Sequence, residues 1–112
     1  MKARTPFWPL ERVKALAAAD QLVLTRARAL RFFVADEVAV AAAKGAIAEL
    51  TSARFSETLR QPAPCDVYGV HLASEGWYLK ITIDGGPPEE LIVVSLHPLE
   101  RPLRTNTGII TP

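Results

Sequence analysis

The sequence predicts an α+β fold, with N-terminal helices packed on a small antiparallel β-sheet. Three observations carry this. Apolar residues recur at spacings of three and four between residues 10 and 50. A connector with two prolines, Gln61-Pro62-Ala63-Pro64, then interrupts the chain. Beyond it, apolar and polar residues alternate with period two. Leu, Ile, Val and Phe supply 32 of the 112 residues, above the roughly 20% below which disorder is expected, so a core can form. The length suits one domain over 1–112: a mainly helical half (1–60), an antiparallel sheet (65–97) and a Pro-containing tail (98–112).

The elements follow in order. Pro9 suits the first turn of a helix, and Leu10, Val13, Leu16 and Ala17 give that helix an apolar face ending near Asp20. Leu22-Val23-Leu24 reads as an edge strand or a loop. Thr25 reads as an N-cap for a short helix from Arg26 to Phe33, with Ala27, Leu30 and either Phe33 or Val34 turned inward. Asp36 reads as the cap of a longer helix with Val40, Ala43, Ile47 and Leu50 as its stripe, and Gly45 suggests a closely packed neighbour. Thr51-Ser52 ends it and caps a last short turn through Phe55 and Leu59.

In the second half, Cys65 to Leu72 and Trp77 to Ile83 read as strands. Leu79, Ile81 and Ile83 point to one face, and Tyr78, Lys80 and Thr82 to the other. Residues 84–90 form a hairpin loop. Leu91 to Leu96 is the last strand, with Ile92, Val94 and Leu96 on one face and Leu91, Val93, Ser95 and His97 on the other. Helices should cover one side of the sheet and leave the other partly open. Pro98 and Pro102 bar the tail from a central strand, while Leu99 and Leu103 should bring it back onto the domain.

Composition narrows the function. The longest apolar run, Val38 to Ala43, is far short of the roughly 20 residues of a membrane span. A single cysteine makes neither an internal disulfide nor a zinc site, and no cofactor motif occurs, so a cytoplasmic protein without metal or small-molecule cofactor is expected. The net charge of +1 is unevenly spread: residues 1–31 carry seven bases and two acids. This stretch suits a phosphate-bearing or acidic partner, or simply a solvated helix face.

The one constellation with chemical use is the open sheet face. Tyr78 and Lys80 stand on one strand, His97 on its neighbour, and Arg101 and Arg104 follow closely. RNA is cleaved when a base takes the 2′-hydroxyl proton, the 5′-oxygen is protonated, and cations hold the phosphoryl charge. Histidine serves as base or acid near neutrality, tyrosine positions or stacks, and lysine and arginine clamp phosphate. Each residue also has a plainer role: His97 as a strand end before Pro98, Lys80 as a solubilising residue, the arginines as a solvated tail.

The chain also resembles a known family. Arg4-Thr5-Pro6, Leu10, Val13-Lys14, Leu16 and Thr25-Arg26 are similar to the opening of the MqsR toxins. Asp66-Val67-Tyr68 and Tyr78-Leu79-Lys80-Ile81-Thr82 resemble that family's central strands, and Leu91-Ile92-Val93-Val94-Ser95 its last strand. The likeness runs through most of residues 2–97 in the same order. It implies a RelE-like fold and a metal-independent mRNA endoribonuclease of a type II toxin–antitoxin pair, with a cognate antitoxin protein and mRNA as partners. The departures fall on the family's functional positions. Its lysine corresponds to Phe55-Ser56-Glu57-Thr58-Leu59, which has none; its Gln is Cys65, and its terminal lysine is His97. Only the tyrosine, Tyr78, is kept. The expectation is therefore a divergent site with His97 as general acid or base, Tyr78 positioning the substrate, and Lys80, Arg101 and Arg104 holding the scissile phosphate. The alternative is a non-catalytic binding or regulatory module that keeps the antitoxin-binding fold. A third reading is a nucleic-acid binder that uses the basic N-terminal stretch.

Overall fold

A computed structural model describes residues 4–25 and 31–112. Two helices cover one face of a five-stranded sheet whose strands lie in the order β1 (Leu22–Leu24), β5 (Glu90–Pro98), β4 (Glu75–Asp84), β3 (Cys65–Leu72), β2 (Phe55–Leu59), and a small hairpin of β6 (Leu103–Thr105) and β7 (Gly108–Ile110) lies on the other face. The fold is α+β as expected, but the sheet is mixed: β1 (Leu22–Leu24) runs parallel to β5 (Glu90–Pro98), and the other pairings are antiparallel.

Helix α1 (Leu10–Ala18) buries Val13, Leu16 and Ala17. Pro9 sits just before its first turn, and its carbonyl accepts the N–H groups of Arg12 and Val13. The approach to the helix is fixed by Asp66, fully buried in β3 (Cys65–Leu72). Its carboxylate accepts the N–H groups of Phe7 (3.0 Å) and Trp8 (2.8 Å) and the Thr58 hydroxyl (2.6 Å). A buried carboxylate needs such donors, and here three supply them. The helix ends in a Schellman motif: Asp20 takes a positive φ of 60°, with Asp20 N–H bonded to Ala17 O and Gln21 N–H to Leu16 O. The chain then enters β1 beside β5, tied by Leu91 N–H to Gln21 O and Thr25 N–H to Val93 O.

The expected helix Arg26–Phe33 lies largely outside the described residues, together with Ala27 and Leu30. Residues 31–35 form turns. Phe33 packs against the core beside Trp77, and Val34 faces solvent. Helix α2 (Asp36–Ala48) starts one residue earlier than expected: Ala35, in extended conformation, is the cap position, and Asp36 begins the first turn. There the carboxylates of Asp36 and Glu37 meet the positive end of the helix dipole. The buried stripe is Ala39, Ala43, Ala46 and Ile47, with Leu50 following. Val40 is only half-buried, and Gly45 faces open space rather than a close neighbour.

The segment expected as a final helical turn is a 3-10 turn, Ser52–Arg54, followed by strand β2 (Phe55–Leu59) on the sheet edge. A register shift between Phe55 and Glu57 leaves both Phe55 and Ser56 buried, which breaks the alternation that would have announced a strand. Strands β3 and β4 (Glu75–Asp84) are joined through Ala73 and Ser74, both at positive φ, as a two-residue hairpin turn requires. Arg12 on α1 bonds Glu89 in the β4–β5 loop, and this guanidinium holds the Glu89 carboxyl below its usual range.

The core joins both helices to Tyr68, Leu79, Ile81, Ile83, Leu91, Val93 and Leu96. The Tyr68 hydroxyl is buried there with no hydrogen-bond partner among the described residues. Burial, and secondarily the charge of Asp66, pushes its phenol well above the ordinary tyrosine range.

The tail does return to the domain. Strands β6 (Leu103–Thr105) and β7 (Gly108–Ile110) form a hairpin whose Ile110 sits on Gly69. A Cβ at Gly69 would come within 2.6 Å of Ile110 Cδ1, and one at Gly76 within 2.3 Å of the Thr111 carbonyl oxygen. Asn106 fastens the hairpin at three places: it exchanges bonds with the Arg4 backbone, donates to Ser52 O, and bonds Phe55 O through its own N–H. Among the described residues, no helix is long and apolar enough to cross a membrane.

Candidate functional site

The tail hairpin covers only part of the open face and leaves a strip along β4 and β5. What stands on that strip is decided by a bulge. Lys80 pairs with Ser95, but Ile81 pairs with Val93, so Val94 is left as the extra residue. Leu91 and Val93 oppose Ile83 and Ile81 on the helix side. Past the bulge the parity reverses: Leu96 opposes Leu79 in the core, while Ser95 and His97 oppose Lys80 and Tyr78 on the open face. A strand without the bulge would have held Leu91, Val93, Ser95 and His97 on a single face, as the sequence pattern suggests.

Tyr78 and His97 are direct partners across the two strands. Their rings stack with centroids 4.9 Å apart and planes 10° from parallel. His97 Nδ1 lies 2.8 Å from the Pro98 carbonyl oxygen. A carbonyl only accepts, so Nδ1 carries a proton; in the neutral ring the lone pair is then on Nε2, the tautomer a general base needs. The Phe32 ring stands 6.2 Å from His97, and the Arg31 guanidinium lies 4.9 Å from the Phe32 ring centroid.

Two adjoining hollows meet at the stack. One, of about 310 Å³, is lined by Arg31, Phe32, Tyr78, Lys80, Ser95, His97 and Glu100. The other, of about 240 Å³, is lined by Tyr78, His97, Leu99, Glu100, Arg101, Pro102 and Leu103. Of the residues expected at the site, Tyr78, Lys80 and His97 therefore share one groove, and Arg101 borders its extension. Arg104 does not: it is exposed in β6, opposite Ile109, and lines neither hollow. Arg31, Phe32, Ser95 and Glu100 belong to the groove and were not anticipated. Ser95 had a signal, since it shares parity with His97 two residues on. The other three arrive from loops whose path is set by packing.

His71 lies elsewhere, its Nδ1 accepting from Arg54 at 3.2 Å. Cys65 is half-buried and free. Among the described residues, no group of three or more His, Cys, Asp or Glu side chains converges as metal ligands would.

Chemically, the groove joins a flat aromatic stack, an imidazole held through Nδ1, and cations at both ends. Comparison with protein-family models, curated proteins and solved structures finds no match to this chain.

Proposed function

We propose that the protein is a divergent MqsR-like toxin of a type II toxin–antitoxin system, a metal-independent mRNA endoribonuclease held in check by a cognate antitoxin. The observation that carries this is the Tyr78–His97 stack with its fixed tautomer, set between Arg31 and Lys80 on one side and Arg101 on the other. The strings that resemble the family's strands lie in three adjacent antiparallel strands, β3, β4 and β5, which supports the same reading.

In this reading His97 Nε2 takes the proton of a 2′-hydroxyl. The 2′-oxygen attacks the adjacent phosphorus, the bond from phosphorus to the 5′-oxygen breaks, and a 2′,3′-cyclic phosphate is left. The departing 5′-oxygen is protonated from water, which reaches the open groove. Lys80 and Arg101 meet the charge on the phosphoryl group, with Arg31 in the role that the sequence pattern assigns to Arg104. Tyr78 braces the imidazole and positions the substrate. The Pro98 carbonyl stabilises the imidazolium that forms, as an orienting acceptor does for a catalytic histidine.

The second reading, a non-catalytic module that keeps the antitoxin-binding fold, is favoured by Phe55–Leu59, an edge strand with no lysine. Induced expression in a bacterial host, with total RNA mapped by primer extension, separates the two. Growth arrest with discrete cleavage sites, lost in His97→Ala, is the expected result. Intact RNA with soluble wild-type protein selects the binding module.

A further inference from the structure

The two hollows share Tyr78, His97 and Glu100, so the stack is a ridge with a cavity on each side. The cavities differ in chemistry. The first has charged and hydroxyl walls from Arg31, Lys80 and Ser95, plus the Phe32 ring. The second is walled by Leu99, Pro102 and Leu103, with Arg101 at its border. Everything on its far side comes from the tail, and the tail is held there by its close approach to Gly69 and Gly76 and by the bonds of Asn106.

We infer that the hollow between the Tyr78–His97 stack and the tail is a nucleobase subsite, so that the groove binds a dinucleotide step of single-stranded RNA across the ridge. This rests on the reading of the groove as an RNA site. Single strands are bound by planar or apolar surfaces that receive the bases and cations that follow the backbone. The order along the groove matches: Phe32 beside Arg31 on one side, the ridge in the middle, and an apolar hollow beside Arg101 on the other. A phosphate over the ridge faces His97 and has Lys80 and Arg101 on opposite flanks. Its two nucleosides then fall into the two hollows. Leu99, Pro102 and Leu103 present apolar faces to a ring and no hydrogen-bonding side chain, so this subsite takes a base by apolar packing and is tolerant of which base it is. Glu100, an acceptor common to both hollows, favours a base or ribose edge that donates.

The test uses the full chain and a 2′-fluoro dinucleotide, which lacks the attacking hydroxyl and stays intact, beside the matching mononucleotide. Leucine methyl resonances and affinity are read at one salt concentration. The dinucleotide is expected to shift the Leu99 and Leu103 methyl signals and to bind at least tenfold more tightly than the mononucleotide. Leu103→Glu should abolish that gain. Equal affinities with unmoved Leu99 and Leu103 methyls, while Tyr78 and His97 signals respond, would overturn the subsite and keep the RNA site. No response to either ligand would overturn both. The wild-type methyl shifts decide the matter even if the Leu103 variant fails to fold.

Discussion

Gly69 lies directly beneath Ile110, with no room for a methyl group between them. A Cβ on Gly69 would meet Ile110 Cδ1 at 2.6 Å and the Leu103 and Thr105 side chains at 3.2 and 3.3 Å. The tail hairpin therefore rests on bare backbone of β3, and through it the far wall of the groove takes its place.

Gly69→Ala is expected to destabilise the protein by about 1–3 kcal/mol, the usual cost of overpacking. Ile110→Ala in the same chain should recover part of that loss. Urea denaturation of the two single variants and the double variant measures the coupling; simple additivity would show that the close approach is not the cause.

Tyr68→Phe removes a buried hydroxyl that has no partner among the described residues. At pH 7 the variant should be as stable as the wild type, or more stable by about 1 kcal/mol. The difference should widen in alkali. Unfolded tyrosine loses its proton near pH 10, while the folded Tyr68 phenol is held higher by burial. Above pH 10 the unfolded state thus binds fewer protons, and wild-type stability falls by up to about 1.4 kcal/mol per pH unit from this group alone. Denaturation midpoints of the two proteins from pH 8 to 11 provide the check.

Asp66→Ala should cost about 2–4 kcal/mol. It strands the Phe7 and Trp8 N–H groups and the Thr58 hydroxyl, which all donate to one buried carboxylate. Hydrogen exchange should show the Phe7 and Trp8 amides losing protection first.

His97→Ala should slow RNA cleavage about 10²- to 10⁴-fold, the span of a missing general base. Lys80→Ala and Arg101→Ala should weaken RNA binding and flatten its salt dependence by about 0.7 in log–log slope for each phosphate left without its cation. Arg104→Ala should leave both unchanged. A measurable defect in that variant would mean the tail adopts another path when RNA is bound.

Much of this was readable from residue order, and the exceptions have physical causes. The alternation of Leu79, Ile81 and Ile83 places them on the core face, and the spacing of Val13, Leu16 and Ala17 gives α1 its buried side. Strand β2 escaped because its irregular register buries Phe55 and Ser56 in succession. The β3–β4 turn escaped because Ala73 and Ser74 are not residues that favour positive φ. The candidate site was half legible. Tyr78, Lys80 and His97 could be placed near one another, but their common face depends on an unpaired Val94, which no period-two pattern reveals. Arg31, Phe32 and Glu100 join them from loop segments that no local pattern announces, and Arg104 is carried off in β6, paired with Ile109.

The extra residue at Val94 bears on how such a groove is kept or lost. Removing Val94 alone leaves Val93 toward the helices and Ser95, Leu96 and His97 in regular alternation after it, so Ser95 and His97 stay opposite Lys80 and Tyr78. A strand that instead takes Val94 into its ladder turns Ser95 and His97 toward the helices, with every chemical group still encoded. The surface thus depends on where the ladder places its irregularity as much as on the residues that line it.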